Sequence, residues 1–435
     1  MHVLLIHQAY AGPRDPGGTR HHELATELVR RGHRVTIVAS DVSYMTGDRV
    51  GGSSPAIGAS SRGNGSNESA GEDAGGIRVV RVPSSRRLHR SYVDRFASFV
   101  GFGGRALRAA LEVPDVDVVW GTSPPLPQLL PAWLASLRCR GGFVLEERDL
   151  WPEFAIGMGV VRDGLASRAA LRFKRFLYGR ARRVIVNSPG FLPFLDGYGV
   201  EAQKIRVVPN GVDPRLFDPE ERSADLRRAW GAEGRFVVLY AGALGPANDL
   251  EVALDAAEEL RGTEALFVLV GDGKARASLA EAAAARGLDN VRLVGAQPKD
   301  AMPQVLAAAD ACLATLRDIP LFRTTYPNKV FDYMAAGRPV LLLIDGVIRE
   351  VVEEARAGRF VPPGDARGLA ATVREWMQSP EAVRAMGRDG RRAVCARFDR
   401  RLHAAQLETL LLELVGESPS TGSQAAEACV IGEAR

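Results

Sequence analysis

Cysteine is scarce: Cys139, Cys312, Cys395 and Cys429 are the only four in 435 residues, far apart and without a Cys-x-x-Cys pair. That spacing builds neither a zinc site nor a disulfide framework and fits a reducing, cytoplasmic compartment. Long apolar runs are also missing. No stretch approaches the ~18–20 apolar residues that span a bilayer. The opening Met1-His-Val-Leu-Leu-Ile6 turns polar too soon for a signal-peptide core and reads as a buried strand. Strong net charge is absent too: 56 basic against 52 acidic side chains leave +4, too mild a balance to indicate nucleic acid. Metal-ligand patterns are missing as well. No Asp-x-Asp pair closes a strand, Asp15 and Asp41 stand alone, and His21 and His22 are adjacent rather than on one helix face. No metal cofactor is expected.

What is present is an ordinary globular composition, 46% hydrophobic and 25% charged. At 435 residues the chain exceeds the size at which a single core stops growing, about 250–300 residues, so two domains are expected. Strands at His2–His7, Arg34–Ala39, Ile77–Val82, Val116–Gly121, Gly142–Glu146 and Arg183–Asn187 alternate with helical stretches such as Gly17–Arg31. After Gly211 the pattern restarts, with strands at Arg235–Ala241, Ala265–Val270, Val291–Val294, Ala311–Ala314 and Pro339–Ile344 and a helix at Asn328–Ala335. Such alternation implies parallel βαβ units. The expected fold class is α/β: two Rossmann-like, doubly wound domains facing across a cleft, over residues 1–208 and 209–397, hinged near Val207–Asn210. Ligands of such sheets bind at the carboxyl ends of the strands. Residues 398–416 read as a helix crossing back onto the first domain. Residues 46–76 and 417–435, rich in Gly, Ser and Ala, read as a disordered insertion and tail.

Charge is distributed unevenly. From Arg78 to Arg108 there are eight arginines and one acid, Asp94, interleaved at helical spacing with Tyr92, Phe96, Phe99, Val100 and Leu107. Two readings stand side by side: a basic amphipathic helix, Arg86–Arg108, lying on an anionic membrane, or a helix packed on its domain with a solvated basic face.

The most informative segment is Arg323-Thr-Thr-Tyr-Pro-Asn-Lys-Val-Phe-Asp332-Tyr-Met-Ala-Ala-Gly-Arg-Pro-Val340. Pro327 suits the first turn of a helix, where its missing N–H costs nothing. Free N–H groups and the helix dipole make that end an anion site, and Arg323 and Lys329 add full charges suited to a diphosphate. Asp332, a turn further in, can accept the two vicinal hydroxyls of a ribose. The alternative is a capped core helix with a surface aspartate. Further polar groups collect at other strand ends. Pro16-Gly-Gly-Thr-Arg-His-His-Glu23 places Gly17 and Gly18 where a backbone can approach a ligand, beside Arg20 and His21, which can meet a phosphate or an acceptor or lie on a surface helix face. Glu146-Glu-Arg-Asp-Leu-Trp-Pro-Glu153 offers Arg148, Asp149, Trp151 and Glu153 for an acceptor-side cleft. Asp149 is the preferred polar residue there, against a structural salt bridge with Arg148.

The segment 323–340 resembles the donor-binding motif of glycosyltransferase family 4, whose GT-B enzymes usually transfer with retention. The family motif carries two glutamates with seven residues between them; here Asp332 takes the second position and Thr324 the first. The Tyr326-Pro-Asn-Lys form is similar to a branch of aminosugar (fucosamine-type) transferases in bacterial surface-polysaccharide assembly. Val208-Pro-Asn-Gly-Val-Asp213 resembles the family's interdomain signature, and Tyr240-Ala-Gly-Ala-Leu-Gly245, Val270-Gly-Asp-Gly273 and Val291-Arg-Leu-Val-Gly295 resemble its strand–loop ends. By this resemblance Gly17, Gly18, Gly242, Asn248, Gly271, Arg292, Val294, Thr324, Thr325, Tyr326, Pro327, Asn328 and Asp332 contact a nucleotide-sugar donor. The family's usual phosphate-clamping Arg and Lys correspond to Ala243 and Asn248, so Arg323 and Lys329 are the candidates to replace them, with Asp149 as the third catalytic candidate.

The implied activity is retaining transfer of a hexosyl or N-acetylhexosaminyl group from a nucleoside-diphosphate sugar, UDP by branch resemblance. The acceptor is a saccharide or a polyprenyl-diphosphate-linked glycan, and no metal takes part. Two alternatives stay open: a UDP-sugar epimerase or hydrolase on the same scaffold, and a sugar-nucleotide-binding protein that has lost catalysis.

Overall fold

The computed structural model describes residues 1–417 except 13–14, 16–17, 44–46, 48, 50–69, 73–75, 86–91 and 163. Its first sheet has eight strands: β1 (His2–Ile6), β2 (Arg34–Ser40), β3 (Ala70–Glu72), β4 (Arg78–Val82), β5 (Val118–Ser123), β6 (Gly142–Glu147), β7 (Arg183–Val186) and β8 (Ile205–Val207). Their order is β3-β4-β2-β1-β5-β6-β7-β8, parallel throughout except for β3. The second sheet is fully parallel: β9 (Phe236–Ala241), β10 (Ala265–Val270), β11 (Val291–Val294), β12 (Ala311–Thr315), β13 (Val340–Leu343) and β14 (Gly358–Phe360), in the order β11-β10-β9-β12-β13-β14. Strand order reverses between β1 and β5 and again between β9 and β12. The loops after those four strands therefore splay apart and leave a crevice at each sheet's carboxyl edge.

Both sheets are covered on both faces, which is why their strands are continuous apolar runs rather than alternating ones. In the first, Leu4 and Ile6 pack with Phe102, Leu129 and Leu177, while Val3 and Leu5 pack with Leu24 and Leu28 and with Leu407 and Leu411 from helix Arg400–Val415. In the second, Val237 and Leu239 face Val330, Phe331 and Met334, and Val238 faces Leu254 and Trp376. The crossing helix thus completes the first domain's core. Arg400 fixes its start, donating from Nε to Glu23 at 2.8 Å and from Nη2 to the carbonyl of Gly211. Gly211 has no room for a side chain there: a Cβ would strike the Phe398 carbonyl and the His403 ring.

Most of the expected insertion at 46–76, the Arg86–Arg90 end of the basic segment, Gly17 and residues 418–435 lie outside the described residues. Within the insertion, Ala70–Glu72 pairs antiparallel with β4, so this part of it is sheet edge rather than loose chain. Strands β8 and β14 were not anticipated either; each is three residues long, too short for a periodic signal. Helix Tyr92–Glu112 buries Phe99, Phe102, Ala106 and Ala110 and exposes Val100, Arg108 and Leu111. It is packed on its domain. No described helix is long and apolar enough to cross a membrane.

Candidate functional site

After β12 the chain passes through a turn at Pro320–Thr324 into helix Asn328–Ala335. Pro327 is the N-cap, one position before the first-turn place expected for it. Val330, Phe331 and Met334 anchor the helix in the core, which leaves Asn328, Lys329 and Asp332 on the polar side. Two carbonyls of the preceding turn are held, one by the first domain and one by the hinge: Ser188 Oγ donates to Thr324 O at 2.5 Å and Asn210 Nδ2 to Tyr326 O at 2.7 Å. Thr324 and Thr325 turn their hydroxyls back onto the carbonyls of Leu321 (2.6 Å) and Phe322 (2.8 Å). Thr324 therefore ties the motif to the opposite domain and Tyr326 ties it to the hinge, while Thr325, Tyr326, Pro327 and Asn328 line the cleft. The Asn328 Oδ1 is buried without a hydrogen-bond partner among the described residues.

Lys329 is the most unusual charge of the site. Its partly buried side chain reaches the loop after β9, where Nζ donates to Tyr240 Oη at 2.7 Å, lies 3.4 Å from Asn248 Oδ1 and sits 3.9 Å from the centroid of the Tyr240 ring. Among the described residues no carboxylate pairs with it. Desolvation alone pulls its pKa from 10.5 down to about 7. Tyr240 in turn donates to Ala243 O at 2.8 Å, which fixes the loop. The neighbouring loop is pressed against this one: Gly271, at φ 152°, leaves no space for a Cβ beside the Gly242 carbonyl. The ammonium thus stands next to Ala243 and Asn248, the two positions where the family resemblance leaves cations missing.

Asp332 also faces a charge: its Oδ2 receives Lys299 Nζ at 2.6 Å. Burial raises its pKa, with Lys299 opposing. Arg292 is not turned toward a ligand, its Nη1 donating to the carbonyls of Asp289 (2.8 Å) and Val291 (2.9 Å); Val294 closes the same strand, partly buried. Arg323 departs from expectation. It is half-exposed, donates to Asp318 at 2.9 Å and stands 4.0 Å from Asp345, around a second, minor hollow rather than the main cleft. Its charge is already answered there.

The first domain needs three corrections. Arg20 and His21 are fully buried rather than facing an acceptor. Arg20 Nε donates to Glu146 Oε1 at 2.9 Å, and its Nη atoms grip the carbonyls of Pro209 (2.7 Å) and Val208 (2.6 Å), so it clamps the hinge. Burial lowers the His21 pKa to about 4, so a neutral imidazole donates from Nε2 to Glu146 Oε2 at 2.6 Å. Burial opposes ionisation of Glu146, but the charges and hydrogen bonds of His21 and Arg20 outweigh it and hold the carboxyl well below the usual range. Glu153, the third correction, is enclosed in a structural cluster: Lys174 donates to both its oxygens at 3.0 Å and Tyr198 Oη to Oε1 at 2.6 Å. The same lysine lies 3.4 Å from Glu147, whose pKa burial raises to about 7.

Arg148, Asp149 and Trp151 do reach the cleft. Arg148 Nη2 donates to Pro124 O at 3.1 Å. Asp149 opens to solvent across the cleft while protein flanks it closely, and that shielding raises its pKa against the pull of Arg148. No hydrogen bond to its carboxylate occurs among the described residues. The cleft itself, about 730 Å³, runs between the two crevices, with Gly18, Asp149 and Asn187 on one side and Ala247, Thr325 and Asn328 on the other. Gly18 brings its backbone close to the motif helix, where a Cβ would stand 4.0 Å from Asn328 Nδ2.

Comparison with known proteins agrees with this geometry. Residues 17–211 match the family model for a glycosyl transferase 4-like domain, and residues 235–379 that for glycosyl transferases group 1. A GDP-mannose-dependent alpha-mannosyltransferase of Mycolicibacterium smegmatis is 30% identical over 292 residues, 65% of this chain and 69% of that protein. The Pseudomonas aeruginosa protein named "Probable glycosyltransferase WbjE" is 28% identical over 320 residues, 69% of this chain and 74% of its own. In three dimensions, HepE of Anabaena, crystallised in complex with UDP, superposes with a TM-score of 0.68 at 19% identity, covering 95% of this chain and 100% of that one. Two doubly wound sheets, a cleft at their switch points and matches spanning both halves lead to one assignment: the chain belongs to glycosyltransferase family 4 and is a nucleotide-sugar glycosyltransferase of GT-B fold.

Proposed function

We propose that the protein transfers a sugar, with retention at the anomeric carbon and without a metal, from a UDP-sugar to a saccharide or polyprenyl-diphosphate-linked acceptor. The observation that carries the donor side is Lys329: a partly buried ammonium with no carboxylate partner among the described residues, at the opening of a helix and beside the loop after β9. Burying a charge unpaired is costly, and a diphosphate supplies the absent counter-charge. The helix N-terminus at Asn328 adds backbone N–H groups aimed the same way. As the diphosphate departs, these fixed positive groups stabilise the charge it gains. In this reading Asp332 receives the ribose and Asp149 orients the acceptor. With no enzyme nucleophile assigned, the departing phosphate takes the acceptor proton on the same face of the sugar.

The acceptor wall of the cleft supports a lipid-linked substrate. Phe99, Leu126, Trp151, Phe154, Met158 and Val161 line it, a surface suited to hydrocarbon rather than to a bare glycan. Val100, Arg108 and Leu111, exposed on helix Tyr92–Glu112, fit peripheral contact with the inner leaflet; failure to cosediment with phosphatidylglycerol vesicles would remove that contact. The aminosugar branch and the choice of UDP rest on the form of the Tyr326–Lys329 motif. Calorimetry with UDP, GDP, ADP and dTDP, on the native protein and on Asp332→Ala, tests the reading. One nucleotide binding, and binding lost in the variant, is expected; GDP as that nucleotide overturns the UDP assignment. Absence of all binding overturns the donor site.

A further inference from the structure

Asp332 presents its two oxygens unequally. Oδ2 takes a 2.6 Å hydrogen bond from Lys299, in a pair whose side chains are only 15% and 18% exposed. Oδ1 accepts no hydrogen bond among the described residues and is not sealed from solvent. Lys299 opens the turn Lys299–Ala301, which follows β11 and leads into helix Met302–Ala307. Two more charged groups face the same carboxylate across the domain boundary: Glu23 from helix Arg20–Arg30 and Arg400 from the crossing helix. Both are already committed. Glu23 takes Thr19 Oγ1 at 2.5 Å and Arg400 Nε at 2.8 Å, and Arg400 also holds the Gly211 carbonyl. Lys299 is therefore the cation that answers Asp332 directly.

We propose that Lys299 is a positioning residue of the donor site, holding Asp332 ionised and turned so that Oδ1 faces the ribose hydroxyls. The inference rests on reading Asp332 as the ribose acceptor. Two vicinal hydroxyls that both donate need a carboxylate, since a protonated carboxyl gives up one accepting position. A shielded aspartate beside a second acid, Glu23, is driven toward protonation by burial and by the like charge. Lys299 opposes both, and its bond to Oδ2 sets the rotation of the group. The donor strand–loop Val291–Gly295 thus leads by a short connection to the lysine that prepares the ribose carboxylate.

The test uses the full chain as native protein, Lys299→Met, Lys299→Arg and Asp332→Asn, with UDP and GDP titrated by calorimetry at pH 6 and pH 8. Each variant is compared with the native protein at the same pH, so the titration of Lys329, common to all, cancels. The affinity deficit of Lys299→Met should be larger at pH 6 than at pH 8, because loss of the opposing cation raises the Asp332 pKa further. Lys299→Arg should largely restore affinity, and the Asp332→Asn deficit should not vary with pH. A Lys299→Met deficit that is absent, or equal at both pH values, overturns the proposal. The 2′,3′-dideoxy nucleotides form a separate arm: if the native protein binds them as tightly as the ribonucleotides, the ribose reading itself falls. Melting temperatures without nucleotide judge the Lys299–Asp332 pair independently. The deficit of Lys299→Met should be widest at pH 8 and close as pH falls and Asp332 takes up its proton; a constant gap shows that the lysine does not govern that carboxylate.

Discussion

Replacing Lys329 with Met should make the ligand-free protein more stable and useless as a donor binder. A fall in pKa from 10.5 to about 7 corresponds to roughly 5 kcal/mol of disfavoured charge below pH 7. The side chain is partly buried rather than sealed, and it gains a hydrogen bond and a ring contact at Tyr240. Screening and the loss of those contacts reduce the net gain to about 2 kcal/mol, or roughly 4 °C in melting temperature for a domain of this size. The sign of the pH dependence is fixed. The folded protein releases this proton near pH 7 and the unfolded chain near 10.5, so between those values the unfolded state binds more protons and native stability rises with pH. Lys329→Met lacks that rise, and its advantage at pH 7 should vanish by about pH 10. Scanning calorimetry at pH 7 and 10, with and without the nucleotide the native protein binds, measures both effects. The native protein should gain melting temperature on adding nucleotide, and the variant should start higher and not respond. A variant that melts lower than the native protein at pH 7, or that still responds to nucleotide, refutes the account of Lys329 as a charge kept for a diphosphate.

Other outcomes follow from the same geometry. Asp149→Asn should lower turnover by about 10²-fold while leaving nucleotide affinity within about threefold, as expected of a group that orients the acceptor and not the donor; loss of nucleotide binding instead would place Asp149 in the donor site. Arg20→Ala strands the buried Glu146 carboxylate and should cost about 3–5 kcal/mol in chemical denaturation, with nucleotide affinity of the folded fraction retained. Under the proposed function, in which Lys329 and the helix terminus offset the diphosphate charge, transfer activity should survive EDTA; complete loss restored by Mg²⁺ would overturn a metal-free site.

Long elements and their chemistry were readable in the sequence because their signals are local. Helix Asn328–Ala335 appears at the bounds its Pro, Gly and apolar spacing imply, and the strands of both sheets carry apolar runs that only two-sided burial explains. Partnerships across the chain were not readable. Arg20 and His21 look like any polar pair at a helix start, yet their partner Glu146 lies more than a hundred residues away. Glu153 reads as a cleft acid because nothing nearby in sequence announces Lys174, Tyr178 and Tyr198 closing over it and Glu147. Arg323 sits within the motif, but Asp318 and Asp345 claim its charge. Lys299 was missed because a lone lysine in a Pro-Lys-Asp turn has no periodicity; only the match of Val291–Gly295 just before it marked the neighbourhood. Two arginines of similar appearance, Arg20 clamping the hinge and Arg148 at the cleft, differ in the distant partners that tertiary packing brings to them.

The helix Arg400–Val415 has a consequence for how the protein comes into being. Leu407, Leu410, Leu411 and Leu414 fill the core of the domain that the ribosome makes first, so that domain emerges with an apolar groove beside Leu24 and Leu28 and waits, partly open, until the whole second sheet has been synthesised. Its exposure time grows with the translation time of the second domain, so slow decoding between residues 209 and 399 should raise the demand on chaperones.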